Sequence, residues 1–240
     1  MVKLLKGKLI LAVMEGQNEK VKKDENEKKS LLIICAHPDD EVFGAGATVA
    51  KYVMDGWKAR AIIFSYGEKS HIWLQKRVTI EMRVNEAKNA DRIIGCSEPP
   101  IFLGLEEGKF LTQLKEKGLD KKIEEVIIQE RPSKIFTHSY DDPHPDHRAV
   151  ERAVREAVKN SGLNCEVLMF EVWNLINFRK RDKPRIYVNV SNTFDIKMAA
   201  LREFKSQWIA MIPLLPKVFI STLVNGVYAG CLYAEKFYKG

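Results

Sequence analysis

At 240 residues, with 45% hydrophobic residues and 39 basic against 32 acidic side chains, the chain has the composition of a soluble globular protein with a full core. Its formal charge of +7 comes without an arginine-rich tract or a nucleic-acid-binding motif, which excludes a nucleic-acid partner. The four cysteines (Cys35, Cys96, Cys165 and Cys231) are scattered and form no CxxC pair, so they read as free thiols in a reducing compartment, and the expected location is the cytoplasm.

In chain order, the apolar run Leu9 to Met14 is too short for a secretory signal, and NEKVKKDENEKK (Asn18 to Lys29) is densely charged. Residues 1–29 therefore read as an extension or linker, and 30–240 as one domain. LLIICA predicts a buried strand, followed by a helix over Glu41 to Asp55 that Gly56 stops. ARAIIFS, PPIFLG and KIFTHS predict three further strands. Between them lie helices over Gln75 to Ile94 and Thr112 to Gln129, the second ended by Arg131-Pro132. A helix over His147 to Lys159, strands in CEVLMFEVW and PRIYVNVS, and a helix over Asp195 to Ser206 complete the alternation. Such alternation specifies an α/β fold of three layers, α/β/α, around a mostly parallel sheet. The last apolar stretch, WIAMIPLLPKVFISTLVNGVYAGCLYA, is broken by Pro213, Pro216 and Lys217. It reads as core or contact surface rather than a membrane span, with a homo-oligomer as the expected assembly.

Ligands of such sheets lie beyond the carboxyl ends of the strands. Two loops are placed there, AHPDDE after the first strand and HSYDDPHPDHR after the fourth, and they hold four of the five histidines. Carboxylates crowded as in Asp39, Asp40 and Glu41 repel one another unless a positive group lies among them. Two imidazoles with one carboxylate and an open position make a catalytic zinc arrangement. Helix capping by Asp39, Asp40, Glu41 and Asp146 is the plainer explanation, but it accounts for the carboxylates and not for the histidines beside them. GAGATV, from Gly44, suggests a dinucleotide loop and hence an oxidoreductase. The fingerprint lacks its third glycine and the acidic residue after the second strand, so close packing of the helix on the sheet is the better reading.

AHPDDE after a first strand together with HPDH before a helix resembles the LmbE/PIG-L family of zinc-dependent de-N-acetylases. The likeness extends to Arg83 and Glu86 in an RxxE pair, THSYDDPHPDHRA, FKSQ and the final AEKF. The resemblance implies a Rossmann-like fold, one zinc ion per chain and removal of an acetyl group from an N-acetylated amino sugar. It implies His37, Asp40 and His147 as metal ligands and Asp39 as general base. It implies His144 as the group that stabilises the oxyanion or protonates the amine, with Asp146 orienting it. Arg83, with Glu86, is expected to line or brace the substrate pocket, and Asp142 and Tyr140 are expected to face the substrate. Asp142 stands where some family members place a tyrosine. His144 is expected to act protonated, a form that the Asp146 carboxylate would favour. His138 reads as a structural histidine, and His71 and Trp73 as an ordinary surface loop. A metal-dependent hydrolase of a non-sugar amide is the nearest rival reading.

Overall fold

The computed structural model describes residues 29–71, 73–172 and 184–240; the charged extension before Lys29 and Trp173 of the fifth expected strand lie outside them. Strand β1 (Ser30–Cys35) is buried throughout because alternate side chains feed two cores. Leu31, Ile33 and Cys35 join one cluster with α1 (Asp40–Met54), α2 (Lys76–Ile94) and α6 (Phe194–Leu201). Leu32, Ile34 and Ala36 join the other, with α3 (Phe110–Glu116), α4 (Leu119–Glu130) and α5 (Pro145–Ser161). Helices thus cover both faces, as the alternation requires.

The sheet also contains β2 (Lys58–Ile63), β3 (Ile101–Phe102), β4 (Lys134–His138), β5 (Glu166–Phe170), β6 (Arg185–Asn189) and β7 (Ala234–Lys239). Its order is β3-β2-β1-β4-β5-β7-β6. The first five strands run parallel, while β7 pairs antiparallel with both β5 and β6. Parallel pairing of β1 with β4, through Ile34↔Thr137, brings the two His/Asp loops side by side at one edge.

Several boundaries differ from expectation. The helix expected over Thr112 to Gln129 is two helices, because Gly118 takes φ +62° between them, a backbone state that side chains with a Cβ disfavour. The strand expected in PPIFLG contracts to two residues, and the helix expected to reach Ser206 ends at Leu201. The apolar C-terminal stretch folds into α7 (Trp208–Met211) and α8 (Leu214–Ala229), after a short 3-10 turn at Lys205–Gln207. Among the described residues no single helix is long and apolar enough to cross a membrane. Lys205–Met211 with Leu214–Ala229 meets that test only as a pair bent by 72°. GAGATV lies within α1, not ahead of it: a Cβ on Gly44 would come within 2.2 Å of the Phe170 ring, so the glycine serves helix–sheet contact.

Candidate metal centre

Asp40 opens α1 and is 1% exposed. Its Oδ2 accepts the His37 N–H at 2.9 Å and lies 3.3 Å from His37 Nδ1, 3.3 Å from His138 Nε2 and 3.4 Å from His147 Nε2. One carboxylate oxygen therefore sits among three imidazoles. Burial works against the Asp40 charge, but the neighbouring imidazoles, His147 first and then His138, prevail and hold the carboxyl well below its usual range. Burial likewise opposes charge on His37 and His147. Asp146 and Asp40 nevertheless push His37 up to about 10, and Asp40 with Asp142 pushes His147 up to about 9. Each ring must be neutral to ligate a cation, so binding one releases protons.

His37, Asp40 and His147 each offer a ligand atom, all within 4.8 Å of one another. The set His37, His144 and Asp146, and the set His138, Asp142 and His147, meet the same distance test. The residues fit a divalent cation. His147 Nε2 is buried without a hydrogen-bond partner, and its Nδ1 lies 3.0 Å from Asp142 Oδ1, the carboxylate–histidine pairing that orients metal-ligating imidazoles. His138 suits a ligand less well. Its Nε2 accepts the Ala36 N–H at 3.1 Å, and burial with the neighbouring His147 charge lowers it to about 4. That matches a neutral structural histidine, and its ring stacks on His147 at 3.8 Å between centroids.

Asp39 and His37 form the open side, with side chains 18% and 15% exposed. Asp39 has φ +122°, in a region that residues with a Cβ rarely enter, and such strain clusters at functional sites. Burial raises its carboxyl to about 6 against the opposing charge of Arg83. Arg83, expected to line or brace the pocket, is 2% exposed and braces Asp39: its Nη2 donates to the Pro38 carbonyl and, at 3.2 Å, to Asp39 Oδ2. Glu86, its partner in RxxE, accepts the Ser206 N–H at 2.7 Å and the Ser206 hydroxyl at 2.6 Å, tying down the FKSQ segment.

The second loop also departs from expectation. Asp142 is 1% exposed and faces His147, and its Oδ1 takes the His144 N–H at 2.9 Å, so its contacts are with these two histidines. Tyr140 is 38% exposed on the same loop. His144 caps α5, and its Nδ1 accepts the Asp146 N–H at 3.2 Å. Asp146 thus orients His144 through its backbone. Its carboxylate takes the Gly108 N–H at 2.9 and 3.1 Å and lies 3.5 Å from His37 Nε2. Burial, then the charges of His147 and His37, lower His144, which works against the protonated ring that was expected; with Nδ1 accepting the Asp146 N–H, Nε2 is the nitrogen left to carry a proton. Two supports escaped the sequence reading: Gly108, and Arg148, whose Nη1 donates to the Asp142 and Pro143 carbonyls at 2.7 and 2.8 Å. Nothing in their spacing signals either contact. Trp73, 73% exposed, meets His71 edge-on at 5.3 Å.

Residues 32–158 match the family model PIG-L, described as GlcNAc-PI de-N-acetylase. The chain is 27% identical over 247 residues to a diacetylchitobiose deacetylase of Thermococcus kodakarensis, covering 93% of this chain and 88% of the relative. The N,N′-diacetylchitobiose deacetylase of Pyrococcus horikoshii superposes with a TM-score of 0.74 at 20% identity, over 89% of this chain and 84% of its own. GalB of Pseudomonas putida KT2440, a 4-carboxy-2-hydroxymuconate hydratase, also gives 0.74, at 21% identity over 88% and 95%. At such identities the likeness establishes the fold, and a hydratase beside a deacetylase shows that the fold alone does not choose the reaction.

Proposed function

The chain belongs to the PIG-L family, and from that premise we propose that it is a zinc-dependent N-deacetylase, cleaving an N-acetylglucosamine-type conjugate to acetate and a free amine. The observation that carries the reading is Asp40 Oδ2 among three imidazoles, with Asp39 beside it on the open side of the cluster. His37, Asp40 and His147 would hold the ion. A divalent cation there supplies a Lewis acid that acidifies water and polarises the amide carbonyl.

The chain's own groups do the rest. Asp39 takes a proton from the attacking water, and its carboxyl, raised by burial, is basic enough for that role and acidic enough to give the proton up again. His144 presents an Nε2–H to the oxygen that becomes negative as water adds, the tautomer being set by the Asp146 N–H on Nδ1. As the C–N bond breaks, the departing nitrogen takes the proton that Asp39 collected. Water's oxygen ends in acetate, and the amino sugar leaves as the amine.

The fold relationship with a hydratase and the open identity of the amide both make substrate the point to test. Purified protein is offered N-acetylglucosamine, diacetylchitobiose and a non-sugar acetamide. The reading requires acetate from the sugars, abolished by chelator and restored by zinc. Acetate from the acetamide alone would move the protein to the rival amidase, and no acetate from any of the three would overturn the reading.

A location in the cytoplasm is part of the same proposal, supported by the free thiols of Cys35, Cys96, Cys165 and Cys231. So is a homo-oligomer, supported by the exposed apolar side chains of α7, α8 and the link between them: Ile209, Ile212, Ile220, Val224, Val227 and Tyr228. Sedimentation of an Ile220→Glu, Val227→Glu variant checks it: the altered chain should run as a smaller species, and an unchanged profile would place any interface elsewhere.

A further inference from the structure

Among the buried groups that the mechanism leaves unused, Glu41 is the one whose contacts lead back to a reacting group. It is 0% exposed on the first turn of α1, and its Oε2 accepts the Asp39 N–H at 3.0 Å and the Cys35 thiol at 3.7 Å. A carboxylate reaching back to the N–H of a helix N-cap is ordinary when it comes from the third helical residue. Glu41 is the second, and the cap it serves is Asp39, at φ +122° and ψ −30°. The Asp39 side chain makes no cap bond of its own. It is turned to Arg83, which also takes the Pro38 carbonyl.

We propose that Glu41 is a positioning residue: with Arg83 it clamps the strained Asp39 backbone so that the Asp39 carboxylate stays on the open side of the metal centre. Arg83 grips the carboxylate and the preceding carbonyl, and Glu41 grips the N–H between them. Relaxing φ would swing the Asp39 amide away from Glu41 and turn its carboxylate with it. The inference rests on the general-base role of Asp39 given above, but the clamp itself has a readout that needs no substrate.

Two conservative variants test reach. Glu41→Gln keeps the length and an acceptor oxygen; Glu41→Asp keeps the carboxyl group but is one methylene too short for the Asp39 N–H. Amide hydrogen exchange at Asp39 should stay slow in the unaltered protein and in Glu41→Gln, and become fast in Glu41→Asp at unchanged melting temperature. Turnover should follow. Glu41→Asp should lose roughly 100-fold in kcat, the scale of a misplacement near 1 Å, with KM and bound zinc unchanged, while Glu41→Gln should keep kcat within threefold. The opposite ranking, or fast Asp39 exchange in the unaltered protein, would overturn the clamp. Slow exchange in a protein that releases no acetate from any substrate would leave the clamp standing and remove the deacetylase reading instead.

Discussion

Helix α1 carries two buried charge clusters, one at its first turn and one at its middle, and they are finished differently. At the middle, Lys197 Nζ bonds Glu235 Oε1 at 2.6 Å and the Phe43 carbonyl at 2.8 Å, and Glu235 Oε2 takes the Thr48 N–H at 2.8 Å. Both side chains are nearly sealed, 3% and 4% exposed, and each charge has a partner of opposite sign and a backbone bond. At the first turn, Asp40 is crowded by imidazoles at 3.3 to 3.4 Å, while His147 Nε2, Asp142 Oδ2 and Glu41 Oε1 are buried without hydrogen bonds. A closed ion pair holds the helix against the sheet. A cluster left short of partners, on a strained turn, has bonding capacity to give to something else.

That contrast can be broken experimentally, beginning with the largest effect. Asp39→Asn should keep the cation and lose about 10²- to 10⁴-fold in turnover, the range for a general base. Steady-state kinetics with metal analysis checks this, and normal turnover would remove Asp39 from the mechanism. Lys197→Met should do the reverse. Stranding Glu235 should cost about 3–5 kcal/mol of stability, roughly 10 °C in melting temperature, while cation content per folded chain holds. Calorimetry should find the double variant Lys197→Met, Glu235→Leu less damaged than the single one.

Smaller effects sharpen the picture. Asp142→Ala should weaken cation affinity about 10- to 100-fold through the orientation of His147, measured by competition with a chelating dye. In the same core, close enough to Glu41 to feel its charge, burial pushes Asp91 up to about 7 from its ordinary 3.8, with the Cys96 thiol pulling the other way. The folded state thus binds the Asp91 proton more tightly than the unfolded chain does. The stability this provides is complete below pH 4 and is lost as pH rises through about 7. Asp91→Asn should therefore melt a few degrees above the unaltered protein at pH 8, with the gap closing toward pH 4.

Much of this was legible in the chain. Strand–helix alternation and the position of the two His/Asp loops after strands give the three layers and the edge where ligands meet, because β1 and β4 must pair to bury LLIICA on both faces. Residue spacing does not report which way a buried side chain turns. Spacing therefore leaves open whether Arg83 lines or braces the pocket and puts Asp142 against substrate, whereas Arg83 bonds Asp39 and Asp142 faces His147. The insertion of β7 between β5 and β6 is equally hidden, since a six-residue strand carries no mark of its neighbours. The division at Gly118 is visible only once its φ is known.

The central claim is that His37, Asp40 and His147 hold one cation. Anomalous diffraction from crystals grown with zinc tests it most directly. The account predicts a single strong peak bonded to those three residues, with Asp39 and His144 facing its open side. A peak among His138, Asp142 and His147, or none at all, would contradict it.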